Sequence, residues 1–374
     1  MRIVHLIARL NNGGPARVIE QLCQEHGRVG HESVVFTGAC GPDEEDLTDQ
    51  LCRVGISVVR LRHLQRRLTG WNDLLALGEI IQQLRRFRPT ILHTHTAKAG
   101  FLGRMAARSL SLPCLHTYHG HVLSGYWRPA VQGMIRMSEQ ISARYGHCHS
   151  LSPSLVRDLS INHGIGQHRR WHTQSIPVAV PPRCLIPRER LAQQWGLSGF
   201  DPRIPTIGFL GRMVPIKDPL LFCEVVAAVH NTMPVQVIMC GDGPLRAAAR
   251  QRLAALGVRH WCPGFQDTAQ SLAMFDVLLM TSHNEGVPLS IIEATGSGVP
   301  VVAPSVGGII DLDSGPALQV TTRNVERLAA ATRVAIETGK NTHVIEHGRR
   351  VADYCDPVRV SLRYLGMYQQ AMAS

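Results

Sequence analysis

Short apolar runs alternating with amphipathic helical stretches, glycine-bearing turns just after several of those runs, and a proline-rich break near the middle predict an α/β protein of two doubly wound parallel-sheet domains. The 374 residues exceed one ordinary core and suit two. Uninterrupted apolar strands fit parallel sheets, whose crossover helices bury both faces. Ligands of such sheets bind outside the carboxyl ends of the strands, so two facing domains imply a central cleft lined by post-strand loops.

In the first half, strands are expected at residues 3–8, 33–37, 57–60, 91–94 and 114–117, with helices at 16–25, 72–87 and 99–109. The pattern stops around Ile176-Pro177-Val178-Ala179-Val180-Pro181-Pro182, and a polar, proline-containing stretch runs on to Arg203. This gives a first domain at 1–180, a linker at 181–203 and a second domain at 204–354. The second domain has expected strands at 206–210, 235–240, 275–280 and 299–303, without a sequence repeat of the first. Residues 355–374 hold a terminal helix, helical in period over 357–372, that can pack back on either domain, with the N-terminal one favoured.

Apolar content of 44 % is ordinary, and no apolar run is long enough to cross a bilayer. The opening Met1-Arg2-Ile3-Val4-His5-Leu6-Ile7 is too short an apolar run for a signal-peptide core, and the ten cysteines are scattered without a Cys-x-x-Cys. Both features lead us to expect a cytoplasmic protein with reduced thiols. The formal charge of +11 includes a local cluster, Arg60, Arg62, Arg66, Arg67, Arg85, Arg86 and Arg88. Such a cluster favours phosphate, anionic lipid or nucleic acid, or is a solvated surface. Aromatic residues are 5 % and no nucleic-acid module signature appears, so nucleic acid is not an expected partner. A peripheral contact with the inner face of a membrane is compatible with the charge.

The most informative segment runs from His283 to Glu293. An apolar run empties into Thr281-Ser282-His283-Asn284, and Pro288 suits a first helical turn. Helical side chains lean toward the amino end, so Glu293 is expected to reach back over the loop carrying Glu285. The pair faces one ligand, or is two solvated helix-end glutamates.

After the strand at 206–210 comes Gly211-Arg212, then Lys217-Asp218-Pro219. Asp218 is expected to cap the next helix and Pro219 to occupy its first position. Arg212 supplies a planar two-pronged donor and Lys217 a mobile point charge, a combination suited to a diphosphate; the alternative is two loop-surface bases. Gly241-Asp242-Gly243-Pro244 forms a tight turn before a helix at 245–256, closed by Gly257. Alone it says little, because any strand can enter a helix this way.

In the first domain, Gly13-Gly14-Pro15 opens a helix, as a structural turn or as a backbone cradle for an anion or a sugar hydroxyl. No Gly-x-Gly-x-x-Gly follows the first strand, which argues against a dinucleotide dehydrogenase. His116-Thr117-Tyr118-His119-Gly120-His121 follows another strand, where an imidazole can bond a sugar or pass a proton. His93, His95, His116, His119, His121, His147 and His149 lack the spacing of a familiar metal site, and no metal is expected. Asp311-Leu312-Asp313 reads as a cation-binding Asp-x-Asp or as a polar turn.

Taken together these residues resemble the retaining GT-B glycosyltransferases of the large GT4-type, or group 1, family, which have two Rossmann-like doubly wound domains facing a central cleft. The resemblance rests on Glu285 to Glu293, Gly211-Arg212 with Lys217, Gly241 to Pro244, Gly13 to Arg17, and His93 to Gly100 with Thr117 to His121. It implies a nucleotide-diphosphate sugar as donor, UDP-linked ahead of GDP-linked, and a glycan, lipid-linked or small-molecule acceptor. It also implies retention of configuration and no cofactor or metal ion. By matching position, Arg212 and Lys217 hold the diphosphate, Glu293 the ribose, and Glu285 stands beside the donor sugar. His119 contacts the sugar near its reacting carbon and Gly14 closes on the donor phosphate. Gly264 and Phe265 border the base, and Gly286, Val287 and Leu289 complete the donor set.

The chain departs from the family pattern at Pro177-Val178-Ala179, at Pro288 and at Asp311 to Gly315. These departures keep a degenerate nucleotide-sugar-binding subunit in view; a nucleotide-sugar epimerase of similar architecture and a metal-dependent transferase of the single-domain type are further alternatives.

Overall fold

The structure, a computed structural model, describes residues 1–41, 44–65, 70–123, 129–166 and 170–374. Arg66 and Arg67 of the arginine cluster lie outside the described residues. The chain forms two compact units, Met1–Val178 with Cys355–Ser374, and Ala179–Tyr354.

The first unit holds a seven-stranded parallel sheet of β1 (Arg2–Ile7), β2 (Glu32–Thr37), β3 (Ser57–Arg60), β4 (Ile91–His95), β5 (Cys114–Tyr118), β6 (His147–Ser150) and β7 (Trp171–Thr173). Its order is β3-β2-β1-β4-β5-β6-β7. Successive side chains of a strand point to opposite faces. Val4, Leu6, Val34 and Phe36 accordingly enter one core, while Ile7 and Val35 enter another on the far side. Burial on both faces explains why these strands read as continuous apolar runs.

The second unit repeats the scheme with β8 (Thr206–Leu210), β9 (Gln236–Cys240), β10 (Arg259–Gly264), β11 (Val277–Leu279), β12 (Val301–Pro304) and β13 (Leu318–Thr321). The order is β10-β9-β8-β11-β12-β13. Ile207, Phe209, Val237 and Met239 fill one face, and Ile238, Cys240 and Leu278 the other. Each such side chain contributes about 1.5–3 kcal/mol on leaving water.

Both sheets reverse their strand order once, between β1 and β4 and between β8 and β11. Loops leaving the two strands at such a point diverge to opposite faces and open a crevice. The loop after β8 carries Arg212 and Lys217, and the loop after β11 carries Glu285. Gly13-Gly14 follow β1, and His95 ends β4.

The terminal helix Pro357–Met372 belongs to the first unit, against the helix Gly14–Arg28. Tyr364 and Tyr368 are fully buried, His26 Nε2 lies 3.1 Å from the Ser361 carbonyl, and His93 Nδ1 lies 2.8 Å from the Tyr368 hydroxyl.

Several elements differ from the sequence expectation. Residues 181–203 are not a bare linker, since they contain the helix Arg188–Gln194, whose Leu191 and Ala192 pack into the second core beside Leu197. The sequence pattern does not announce β6, β7, β10 or β13. β6 reads His147-Cys148-His149-Ser150, polar by composition, yet all four residues are buried. β7, Trp171-His172-Thr173, and β13, Leu318-Gln319-Val320-Thr321, are partly exposed edge strands whose polar residues interrupt any apolar run.

Candidate active site

Two of the donor-side candidates, Lys217 and Glu285, meet at the switch point of the second sheet, whereas Gly264 ends the edge strand β10 and Phe265 follows it. Lys217 ends a short 3₁₀ turn, Pro215–Lys217, and its Nζ donates to Glu285 Oε1 in an ion pair. The same carboxylate oxygen accepts the Ser282 hydroxyl at 2.6 Å. Side-chain exposures of 26 % for Lys217 and 11 % for Glu285 leave the pair shielded without sealing it off. In sequence these residues stand on separate loops with separate expected roles; the fold joins them.

Each loop is fixed by bonds that say why it takes this course. Asp218 adopts a left-handed conformation with φ 47° and caps the helix Pro219–His230 by accepting the Leu221 N–H at 3.1 Å. Pro219 stands at the expected start. Arg323, which no sequence motif singles out, donates to the Asp218 carboxylate and to the carbonyls of Thr281 and Ser282 at 3.1 and 3.2 Å. The His283 N–H donates to the Ile216 carbonyl at 2.8 Å. One guanidinium therefore ties the Lys217 loop to the Glu285 loop.

Gly307 and Gly308 support the same loop from below. A Cβ at Gly307 would lie 1.9 Å from the Glu285 carbonyl oxygen, and the Gly308 N–H donates to that oxygen at 3.1 Å. Gly307 also has φ 52°, so both approach and conformation require glycine. The Gly241 turn supports its neighbour in the same way, since a Cβ there would lie 1.9 Å from the Gly211 carbonyl oxygen. The Met213 N–H donates to the Asp242 carbonyl at 2.8 Å. Gly241 to Pro244 is thus the floor beneath the Gly211-Arg212 turn.

Arg212 is exposed, and its guanidinium makes no ion pair or hydrogen bond among the described residues. Glu293 is buried within the helix Leu289–Gly296. With both carboxylates shielded, the alternative of two solvated helix-end glutamates is set aside. Pro288 is the residue before the helix rather than part of its first turn, and it gives no side-chain cap. Gly286 is partly exposed, Val287 is buried, and Leu289 opens the helix. Gly264 ends β10 with φ 84°, its carbonyl accepting the Gly241 N–H at 2.8 Å, and the neighbouring Phe265 is half exposed. Asp311 closes a 3₁₀ turn and Asp313 lies 3.4 Å from His347 Nε2.

In the first unit, Gly14 begins the helix Gly14–Arg28, preceded by extended Gly13. His119 lies just past β5, partly exposed, with Nε2 2.9 Å from His95 Nδ1. Burial pushes its pKa down to about 4, so the ring is neutral at pH 7. Thr96, between β4 and the helix Ala97–Ser109, has φ 65°. A β-branched residue pays about 1–3 kcal/mol for such a conformation, and strain of this kind gathers at functional sites.

The other histidines are committed to internal bonds. His93 meets Tyr368 and Thr117, His116 meets Thr94, and His149 meets Thr117, Tyr364 and the Gln174 carbonyl. Two groups have metal-compatible spacing, His5 with His93 and His95, and His121 with Asp158 and His163. In the first, both His93 nitrogens already have partners. In the second, His121 Nδ1 accepts the Leu123 N–H at 3.0 Å, which puts its proton on Nε2, 2.5 Å from Asp158. That nitrogen then has no lone pair for an ion.

Comparison with known proteins gives a consistent picture. Residues 13–175 match the family model described as a glycosyl transferase 4-like domain, and residues 204–338 match that of glycosyl transferases group 1. An Escherichia coli UDP-Gal:alpha-D-GlcNAc-diphosphoundecaprenol alpha-1,3-galactosyltransferase is 26 % identical over 66 % of this chain and 65 % of its own length. The chain thus spans just under two thirds of that relative. A Mycobacterium tuberculosis GDP-mannose-dependent alpha-mannosyltransferase is 26 % identical over 80 % of this chain and 77 % of the relative. An Anabaena protein crystallised with UDP-glucose superposes with a TM-score of 0.82 at 19 % identity, covering 99 % of this chain and all of that one. A Thermosynechococcus elongatus sucrose-phosphate synthase gives 0.78 at 18 % identity, covering both chains fully. At such identities these superpositions establish the fold alone, two Rossmann-like parallel-sheet domains of the GT-B type.

Proposed function

Since the chain belongs to the GT4-type, group 1 glycosyltransferases, we propose that it moves a sugar from a nucleoside-diphosphate sugar to a glycan, lipid-linked or small-molecule acceptor, with retention of configuration and without a metal ion. The observation that carries this reading is the meeting of Lys217 and Glu285 at the switch point of the second sheet, with Arg212 exposed on the same loop as Lys217 and without an ion pair among the described residues. UDP is put ahead of GDP as the carrier. The E. coli relative named for UDP-Gal and the Anabaena structure holding UDP-glucose support that order, while the mycobacterial relative keeps GDP-mannose in view.

As the sugar departs, negative charge grows on the diphosphate. Arg212 offers two parallel N–H donors to it and Lys217 a point charge, and preorganised charges of this kind lower the barrier most where charge develops. Glu293, buried one helix along, accepts from the ribose hydroxyls. Phe265 offers a ring face to the base, with Gly264 leaving room beside it. Gly286, Val287 and Leu289 lie along the donor at the opening of their helix. Glu285 leaves Lys217 to the phosphate and turns to the sugar. On the first unit, Gly14 offers a backbone N–H and His119 a neutral imidazole. With retention, attack comes on the face the diphosphate leaves, whose oxygen takes the acceptor's proton.

UDP at a hundred times its dissociation constant should stabilise the protein by about 2.7 kcal/mol. A rise of several degrees in thermal midpoint is expected, and Arg212→Ala should abolish most of it. Absence of any shift with both UDP and GDP would contradict the donor site.

A peripheral membrane contact is part of the proposal. No helix among the described residues is long and apolar enough to cross a membrane. The arginine cluster carries this less well than expected from sequence, because Arg60 pairs with Asp46 at 2.5 Å. The stronger support is a pair of helices, Gly70–Phe87 and Pro129–Ser142, that pack against the helix Ala97–Ser109. They expose Trp71 and Leu74, and Met134, Met137 and Ile141, with Arg85, Arg86 and Arg136 also exposed. Apolar residues edged by arginine suit an anionic bilayer surface. Sedimentation with anionic vesicles should fall severalfold in a Met134→Asp, Met137→Asp double variant; equal binding to neutral vesicles would contradict this surface.

A further inference from the structure

Behind His119 the first unit holds a line of imidazoles. His119 Nε2 meets His95 Nδ1 at 2.9 Å, and His95 Nε2 meets His5 Nδ1 at 3.2 Å. The line ends at His5 Nε2, which is buried without a hydrogen-bond partner. His5 and His95 are fully buried, on the neighbouring strands β1 and β4, and their registers fix the spacing: His5 pairs with His93, and Ile7 with His95. Burial keeps all three rings neutral, with pKa values of about 3 for His5, about 4 for His119, and well below the ordinary value for His95.

A neutral imidazole has one N–H and one lone pair, so the line can run in only two senses. If His119 donates inward, His95 donates to His5, and His5 is left with a buried Nε2–H that nothing accepts. If the line runs outward, His5 Nδ1–H donates to His95 Nε2, and His95 Nδ1–H donates to His119 Nε2. What is then orphaned is only a lone pair on His5. Buried N–H groups without acceptors are rarer in folded proteins than under-used acceptors. The outward sense is therefore the favoured one. It puts the remaining proton of His119 on Nδ1, which has no hydrogen-bond partner among the described residues.

We propose that His5 and His95 are positioning residues that fix His119 as its Nδ1–H tautomer, and so make it a hydrogen-bond donor to a sugar oxygen. The isolated side chain prefers the opposite tautomer, with the proton on Nε2. Two buried rings that touch no substrate thus decide whether the site offers a proton or a lone pair. The identity of the oxygen rests on the glycosyl-transfer reading; the tautomer does not.

Nitrogen-15 spectra of histidine-labelled protein decide the tautomer directly. The unsubstituted protein should show His119 protonated on Nδ1. His95→Leu, which cuts the line, should move the proton to Nε2, and His95→Asn, whose amide N–H falls near the lost Nδ1, should restore the original state. An Nε2–H signal for His119 in the unsubstituted protein, or one unchanged by His95→Leu, overturns the proposal. Turnover gives the second readout. His95→Leu should lower kcat about tenfold, the worth of one hydrogen bond. KM for the donor should stay within about twofold, and His95→Asn should recover most of kcat. Equal changes in both constants, unrescued by His95→Asn, would mark a merely structural role and overturn the positioning claim. If no donor is turned over by the unsubstituted protein, the transfer reading fails, and the spectra still decide the tautomer.

Discussion

Glu285→Gln is expected to lower sugar transfer by about 10²-fold or more while UDP binding is kept or strengthened. The reasoning starts from the ion pair. Lys217 cannot give its full charge to a diphosphate while Glu285 holds it, and the Ser282 hydroxyl on the same oxygen keeps the carboxylate in place. Removing the negative charge releases Lys217, so a ligand that needs only the cation gains. A ligand that also needs a carboxylate beside its sugar loses. Lys217→Ala should behave differently, weakening UDP binding and turnover together. Isothermal titration with UDP and steady-state turnover, made on both variants, separate the two roles. Parallel loss of binding and turnover in Glu285→Gln would mean that Glu285 serves only to hold the loop.

The second large effect is acid sensitivity confined to the first unit. Among the described residues, every histidine whose pKa is pushed down lies in that unit. His5 and His149 fall to about 3, His26 and His119 to about 4, and His93, His95 and His116 are displaced the same way, all by burial first. The unfolded chain takes up protons as pH falls below about 6.5, whereas His5, His26, His119 and His149 stay neutral in the folded unit until about pH 4 or lower, with His93, His95 and His116 held in the same direction. Stability is therefore full above pH 6.5 and declines through the interval from 6.5 to 4. For a fully buried histidine such as His5 the decline reaches about 3 kcal/mol by pH 4, on the order of a fifth or more of a typical domain's stability. Several acting together should unfold the unit before pH 4 is reached. Thermal midpoints by circular dichroism should fall by about ten degrees or more between pH 7 and pH 5. A midpoint unchanged over that range would contradict the neutral buried cluster.

The histidines also explain where the sequence could and could not be read. β1, β8 and β9 are branched or aliphatic runs buried on both faces, and their composition announces them. β6 occupies an equally buried place between β5 and β7, but it is built from His147 and His149, which hydropathy counts as polar. Their burial is made tolerable by partners from distant parts of the chain: His172 for His147, and Thr117, Tyr364 and Gln174 for His149. No local window contains that information.

The candidate site divides along the same line. Glu285, Glu293, Arg212 and Lys217 stand beside turns whose glycines and prolines mark them in sequence. Arg323 does not, because it sits in an ordinary stretch after β13, 105 residues from the Asp218 it grips. Nor does spacing disclose that Gly241 and Gly307 serve backbone packing against Gly211 and Glu285. The helix in 188–194 escapes notice because the prolines around it read as linker, although Leu191 fills the second core.

The most direct measurement is transfer from a panel of radiolabelled UDP- and GDP-sugars, scored as release of labelled sugar to water or to acceptor. At least one donor should be turned over by the unsubstituted protein with chelator present, UDP-linked sugars ahead of GDP-linked ones, and Arg212→Ala should reduce that turnover by about 10²-fold or more. Tight UDP binding without turnover of any donor would contradict the central claim and favour a nucleotide-sugar-binding subunit that has lost its chemistry.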